Sequence, residues 1–149
     1  MSDNWLQYVP CDHLYQPDPD AAKKAEERLY AFVPEAEEVT STYLQEPDLF
    51  HPGANWSGVN CPECGTDAES WWKDAVQLAS ESNFRLLQCH APCCHKPVSL
   101  NHMHFAWPAA FGSFVLKAMN PNIKGLAQTQ IKELQDILEC ELREIALHI

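Results

Sequence analysis

The spacing of the cysteines constrains this chain more than any other feature. Five of the seven cysteines form two groups, Cys61-x2-Cys64 and Cys89-x3-Cys93-Cys94, with 24 residues between the groups. A two-residue gap lets one tight turn present both sulfurs to one ion, and zinc prefers four thiolate or imidazole ligands in a tetrahedron. Clustering at this spacing indicates a metal site rather than buried thiols. The sequence therefore predicts one zinc ion per chain.

The second group leaves the choice of ligands open. We expect Cys94 to be a ligand, because Cys94-His95 parallels Cys64-Gly65 in the first group. For the remaining position we favour Cys89 over Cys93, since two adjacent ligands would strain the turn. His90 or His95 could instead replace a cysteine, because neutral imidazole also binds zinc. The predicted ligand set is Cys61, Cys64, Cys89 and Cys94, with Cys93 as the alternative to Cys89.

The stretch Cys61-Pro62-Glu63-Cys64-Gly65 resembles the first knuckle of the zinc-ribbon family. The resemblance covers about residues 56–101, a third of the chain. It implies a hairpin in which two strand–knuckle–strand units each supply two ligands to one ion. The second half departs from the family pattern, because Ala91 stands where a cysteine would pair with Cys94 at a two-residue gap. A site made of four cysteines would be structural, since catalytic zinc keeps an open coordination position.

Few other residues indicate catalysis. His102 and His104 would share one face of a strand, and one hypothesis is that they form a second metal site or serve as a general base. No aspartate or glutamate lies between Lys96 and Glu133 to complete such a set, so we expect both histidines to pack around the hairpin. The chain also lacks a P-loop, a dinucleotide fingerprint, His-Glu-x-x-His and Gly-x-Ser-x-Gly. We expect no enzyme; a zinc enzyme with an open position near the two histidines is an alternative.

The charge of the chain bears on its partners. The formal net charge is −11, and residues 1–50 hold eleven acids against Lys23, Lys24 and Arg28. This balance repels nucleic acids and attracts a basic protein surface. We therefore expect a protein partner with a basic surface and no nucleic acid. A zinc-ribbon regulatory or nucleic-acid-associated module is the alternative, and it would need a confined basic face.

Hydrophobic patterning indicates where the chain would reside. No apolar stretch reaches the 18 or so residues of a membrane span, so we expect no contact with a membrane. The first residues lack a basic segment followed by an apolar core, which argues against a secretory signal. Seven cysteines then fit metal or thiol chemistry in a reducing compartment better than disulfides. The protein is expected to be cytoplasmic.

Periodicity and length predict an α+β fold. The 149 residues suggest a single compact domain, 1–149, with a zinc-ribbon-like subregion at 56–101. Apolar residues at helical spacing predict four helices, at residues 19–33, 67–79, 108–119 and 128–139. Short strands are predicted at 37–45, 84–88, 97–101 and 145–149. Residues 1–17 are predicted to form an irregular arm. Helices and strands would surround a zinc-ribbon-like hairpin.

Two further likenesses concern function. The chain resembles a group of small stand-alone bacterial proteins, a likeness that implies no activity. The features that carry it are the two cysteine groups and the segments Asn55-Trp56-Ser57-Gly58-Val59, Ala118-Met119-Asn120-Pro121 and His148-Ile149. In general character, the acidic chain resembles bacterial immunity proteins, which neutralise a cognate toxin by covering its often basic active site. The leading hypothesis is accordingly a small acidic structural-zinc protein that acts by binding another protein.

Overall fold

The computed structural model describes residues 3–149, which form eight β-strands, three α-helices and one 3₁₀ turn. The strands are β1 (Asn4–Pro10), β2 (Glu38–Phe50), β3 (Val59–Asn60), β4 (Gln88–His90), β5 (Pro97–Ser99), β6 (His104–Phe105), β7 (Ala110–Met119) and β8 (Leu142–His148). The helices are α1 (Pro19–Phe32), α2 (Glu69–Ser80) and α3 (Gln128–Leu138), and the 3₁₀ turn spans Leu100–His102.

A four-stranded antiparallel sheet in the order β2-β7-β1-β8 forms the centre of the fold. β1 lies inside this sheet, so the predicted irregular arm is wrong over Asn4–Pro10; its first two residues lie outside the described part of the chain. The prolines and aromatics of that segment concealed an alternating pattern. Leu6 and Tyr8 enter one core while Val9 enters another, as expected for successive residues on opposite faces of a strand.

The helix predicted at residues 108–119 is instead β7, and this corrects the predicted fold. β7 lies between β2 and β1, and its first seven residues are all buried. Apolar residues such as Phe111, Phe114 and Val115 fit a helical period, but a strand covered on both faces is apolar in every phase. Residues 3–149 therefore contain three α-helices rather than four, and the fold is built around a sheet rather than around the zinc-ribbon-like hairpin.

The helices α1 and α3 cover one face of the sheet. Asp18 caps α1 by accepting a hydrogen bond from the backbone N–H of Asp20, and Pro19 occupies the first turn. The core beneath the helices contains Leu6, Tyr8, Leu29, Phe114, Leu116, Leu134 and Leu138. Burying each large apolar side chain contributes roughly 1.5–3 kcal/mol. We call the four long strands with α1 and α3 the sheet region.

Residues 56–105, here called the knuckle region, pack as a second core around α2. Trp72 from α2 contacts the rings of Trp56 and Phe105, with centroid distances of 6.1 and 5.4 Å. Phe111 of β7 joins the same cluster, 6.3 Å from Trp72 and 5.2 Å from Phe84. The knuckle region therefore attaches to the sheet region at the start of the central strand β7.

Candidate metal centre

The first cysteine pair lies on a tight turn after β3. The backbone N–H of Cys61 donates to the carbonyl of Thr66, and the N–H of Gly65 donates to the carbonyl of Cys61, both at 2.9 Å. Gly65 has φ of +75°, a left-handed conformation that glycine adopts at little steric cost. This turn places the side chains of Cys61 and Cys64 on the same side, as the sequence predicts.

The second cysteine pair lies on a turn with the same hydrogen bonds. The N–H of Ala91 donates to the carbonyl of Lys96 at 2.9 Å, and the N–H of His95 donates to the carbonyl of Ala91 at 2.7 Å. His95 has φ of +61°, the place that Gly65 has in the first turn. Ala91 therefore corresponds to Cys61, and Cys94 corresponds to Cys64. The two turns are equivalent knuckles, although only the first carries Cys-x2-Cys.

Four sulfurs meet between the two knuckles. The Sγ atoms of Cys61 and Cys94 lie 3.9 Å apart, and those of Cys64 and Cys93 lie 3.3 Å apart. All four sulfurs lie within 4.8 Å of one another. Four sulfurs bound to zinc at 2.3 Å in a tetrahedron would lie about 3.8 Å apart. The spacing suits a single metal ion, and it exceeds the S–S bond of about 2.05 Å.

The structure brings Cys93, the alternative fourth ligand, into this group and leaves Cys89 outside it. Cys89 lies on β4, two residues before Ala91, where it faces the same side of the strand about 7 Å further along. Cys93 occupies the third position of the knuckle, at its tip. The chain curves there, so the two neighbouring side chains can converge on one point.

No histidine belongs to the four-sulfur group, and His102 and His104 join no metal-binding group within residues 3–149. His102 ends the 3₁₀ turn, while His104 lies exposed on β6. His95 serves the second knuckle through its backbone. The residues flanking the sulfurs thus shape the site rather than enlarge its set of ligands.

Thr66 is the functional residue that the sequence reasoning missed. Its hydroxyl lies 3.0 Å from Cys64 Sγ, and this hydrogen bond, together with those from the Thr66 backbone and the neighbouring thiols, lowers the pKa of the Cys64 thiol to about 6. The same hydroxyl acts to lower the pKa of Cys93, but desolvation and the neighbouring thiols outweigh it and raise that pKa to about 11. Thiols this close do not all ionise on their own, so a bound cation is what would let four thiolates coexist.

Exposure differs among the four cysteines. Cys61 is fully buried and packs in the second core, Cys94 is half-buried, and Cys64 and Cys93 are exposed. The group therefore lies at the surface of the knuckle region with one sulfur anchored inside. Such a position lets an ion enter from solvent while the anchored sulfur links it to the packing around α2.

The two remaining cysteines, predicted to be buried thiols, are half-buried at the end of the sheet. The backbone N–H of Cys11 donates to the carbonyl of Glu141 at 2.9 Å, which places Cys11 near Cys140 where β1 ends and β8 begins. Burial raises the pKa of both thiols, that of Cys140 to about 11. Both thiols are therefore protonated near neutral pH, which suits a packing role.

None of the helices in the described part of the chain is both long and apolar enough to cross a membrane. Comparison of the chain with protein-family models, with curated proteins and with solved structures finds no match. The geometry of the cysteine group and the charge of the surface are therefore the features that bear on function.

Proposed function

We propose that Cys61, Cys64, Cys93 and Cys94 bind one structural zinc ion per chain. The observation that carries the proposal is the meeting of four sulfurs within 4.8 Å, supplied by two equivalent knuckles. Four thiolates fill the tetrahedral coordination of zinc and leave no position for water or substrate. The site therefore stabilises the fold and does not catalyse a reaction.

The ion would stabilise the knuckle region, where the backbone hydrogen bonds between strands are fewest. β3, β4, β5 and β6 contain only two or three residues each, in two-stranded ladders. A two-stranded ladder is marginally stable by itself in water. Zinc binding to thiolates that meet only in the folded state adds its free energy to folding. The metal thus fixes both knuckles against α2.

Native mass spectrometry of protein purified without added metal tests this proposal. We expect one zinc ion per chain in the wild type and none in Cys64→Ser, because three thiolates bind zinc much more weakly than four. Cys11→Ser is the matched control, since this thiol lies outside the group, and it should retain one zinc. A metal-free wild type, or equal zinc content in both variants, would overturn the proposal.

We further propose that the folded protein functions by binding a basic protein surface in a reducing cytoplasm. The formal net charge of −11 supports this, and so does the exposure of Glu35, Glu37 and Glu38 around the start of the edge strand β2. Opposite charges steer association and set its rate. The narrower form of the proposal is an immunity protein that covers the basic active site of a bacterial toxin.

The salt dependence of association tests the binding proposal. With a partner captured from the native host, we expect the association rate to fall about tenfold or more between 50 and 500 mM salt. Glu35→Gln/Glu37→Gln/Glu38→Gln should lower the rate at low salt and weaken its salt dependence. A rate that is insensitive to salt, or the failure of any partner to bind, would sink the proposal. For the narrower form, co-expression should restore growth of cells that produce the partner.

A further inference from the structure

An apolar groove of about 550 Å³ lies between α2 and β4. We call it the α2–β4 groove. Trp71 and Ala75 of α2 line one wall, and Cys89 and His90 of β4 line the other. Leu78 and Leu86 also line it, and they are 63% and 73% exposed, among the most exposed large apolar residues of the protein. Large apolar side chains gathered at one exposed groove favour contact with a partner.

The strand β4 has a free edge beside this groove. Within residues 3–149, β4 pairs with β5 alone. The carbonyl of Leu87 accepts from the N–H of Leu100, and the N–H of Ala91 donates to the carbonyl of Lys96. Cys89, which lies between them in β4, therefore directs its backbone groups toward β5. In an antiparallel ladder the alternate residues direct theirs the other way. Gln88 and His90 therefore offer backbone donors and acceptors along the free edge.

The charge around the groove favours an occupant of positive charge. Two carboxylates, Asp74 and Glu81, line it, and the described lining residues include no lysine or arginine. The nearest arginine in sequence, Arg85, is bound to Glu46 at 2.7 Å. Lysine or arginine side chains in the occupant would meet unpaired carboxylates at the rim. A second copy of this chain, with net charge −11, would instead be repelled.

Trp71, in the α2 wall of the groove, carries a buried hydrogen-bond donor. Trp71 is only 9% exposed, its indole N–H is buried, and no described residue accepts a hydrogen bond from it. An unsatisfied buried donor costs roughly 1–3 kcal/mol.

We propose that the α2–β4 groove binds an extended, basic segment of a partner protein. The segment adds to the free edge of β4 as a third strand and inserts an apolar side chain between Leu78 and Leu86. Its basic residues lie against Asp74 and Glu81. Main-chain hydrogen bonds at a sheet edge provide affinity, and pockets for alternate side chains provide specificity. The inference rests on the proposed protein-binding function and assigns a surface to it.

A synthetic peptide tests the groove directly. The probe is a seven-residue peptide of alternating lysine and valine. Its binding is measured by the changes in backbone amide NMR chemical shifts of the zinc-bound protein when the peptide is added. We expect the largest shifts at residues 86–91 and 74–82. Replacing the lysines by glutamate, or the central residue by proline, should weaken binding about tenfold or more, because each removes the charge or the strand pairing. Shifts that map elsewhere, or equal binding of all three peptides, would overturn the proposal.

Exposed groove residues provide variants that should fold normally. Leu78→Ala and Leu86→Ala should each lower peptide affinity about 5–10-fold through lost apolar contact. Leu14→Ala is the matched control, since Leu14 is 48% exposed and lies outside the groove. Asp74→Asn/Glu81→Gln should lower affinity about threefold and reduce its salt dependence. Equal effects of Leu86→Ala and Leu14→Ala would refute the assignment.

A natural partner separates failure of the groove from failure of the binding function. If a captured partner binds wild type and Leu78→Ala/Leu86→Ala equally well, the groove proposal fails while the binding function stands. If neither the peptide nor any host protein binds, both proposals fail. If sedimentation shows a dimer of this chain that Leu86→Ala dissociates, the occupant is a second copy, and the proposal of a basic partner segment is overturned.

Discussion

The sheet region and the knuckle region are stabilised in different ways. The four strands of the sheet region contain 7 to 13 residues, and helices bury one face of that sheet. The four strands of the knuckle region contain two or three residues each. The first region can be held by apolar burial and long ladders, whereas the second gains little from either. A metal ion at the cysteine group would supply what the short ladders lack.

Loss of the ion should give the largest effect and divide the two regions. Cys61→Ser removes the buried sulfur, and we expect zinc to be lost with most of its binding free energy, which is on the order of 10 kcal/mol in small zinc domains. Hydrogen exchange should show loss of protection in residues 56–105 while β1, β7 and β8 stay protected. Cys140→Ser, a change at a half-buried thiol outside the group, should leave the exchange pattern unchanged.

Equal loss of protection in both regions would contradict this division. It would mean that Phe111, which joins both through its contacts with Trp72 and Phe84, couples them into one folding unit. The measurement therefore decides whether the metal stabilises a local part of the protein or the whole chain.

The second prediction reverses the first by weakening the sheet region alone. Phe114 is fully buried and contacts Tyr43 of the adjacent strand β2, with ring centroids 5.0 Å apart. Phe114→Ala should lower the free energy of unfolding by about 3–5 kcal/mol, because a large cavity remains. Urea unfolding measures this loss. Zinc content of the folded variant should stay at one per chain; a variant that folds but loses zinc would show that the sheet positions the knuckles.

The sequence predicts the helices of this protein better than its sheet. The predicted helices at 19–33, 67–79 and 128–139 are confirmed as α1, α2 and α3, because each has one buried stripe that produces a helical period. β7 has no such stripe, since both faces are covered. β1 was missed because its pairing partners, β7 and β8, lie more than 100 residues away.

The site was predictable to the level of the cysteine groups. Spacing predicts the two turns, and it puts Ala91 where a cysteine would pair with Cys94, which is the place that the hydrogen bonds of the second turn give it. Whether Cys89 or Cys93 faces the four-sulfur group depends on the curvature of the chain at the tip of the second knuckle. The spacing of the cysteines in the sequence does not reveal that curvature. The hydrogen bond from Thr66 to Cys64 follows from the same turn and has a weak sequence signal, a hydroxyl two residues after a cysteine.

The third prediction uses the equivalence of the two knuckles. Cys93→Ser should lower zinc affinity by more than about 100-fold. Mutation of a residue that only hydrogen-bonds to a metal ligand typically lowers affinity by about 10–100-fold, so a larger loss indicates a ligand. Ala91→Cys added to this variant should recover much of the affinity, because Ala91 has the place of Cys61 in the other knuckle. Competition with a chelator measures both. Recovery equal to that from Ser99→Cys, a control outside the knuckle, would contradict the equivalence.

The smallest effect is expected at Cys89, where the two knuckles also correspond. Cys89 lies two residues before Ala91, as Val59 lies two residues before Cys61, and Val59 is buried in the second core. Cys89 packs against the same core, so it takes the place of an apolar strand residue.

Cys89→Val should leave zinc affinity unchanged and alter the free energy of unfolding by less than about 1 kcal/mol, since valine suits a strand. Chelator competition beside Cys93→Ser provides the comparison. A loss of affinity as large as that of Cys93→Ser would make Cys89 a ligand and would mean that the knuckle region rearranges when zinc binds.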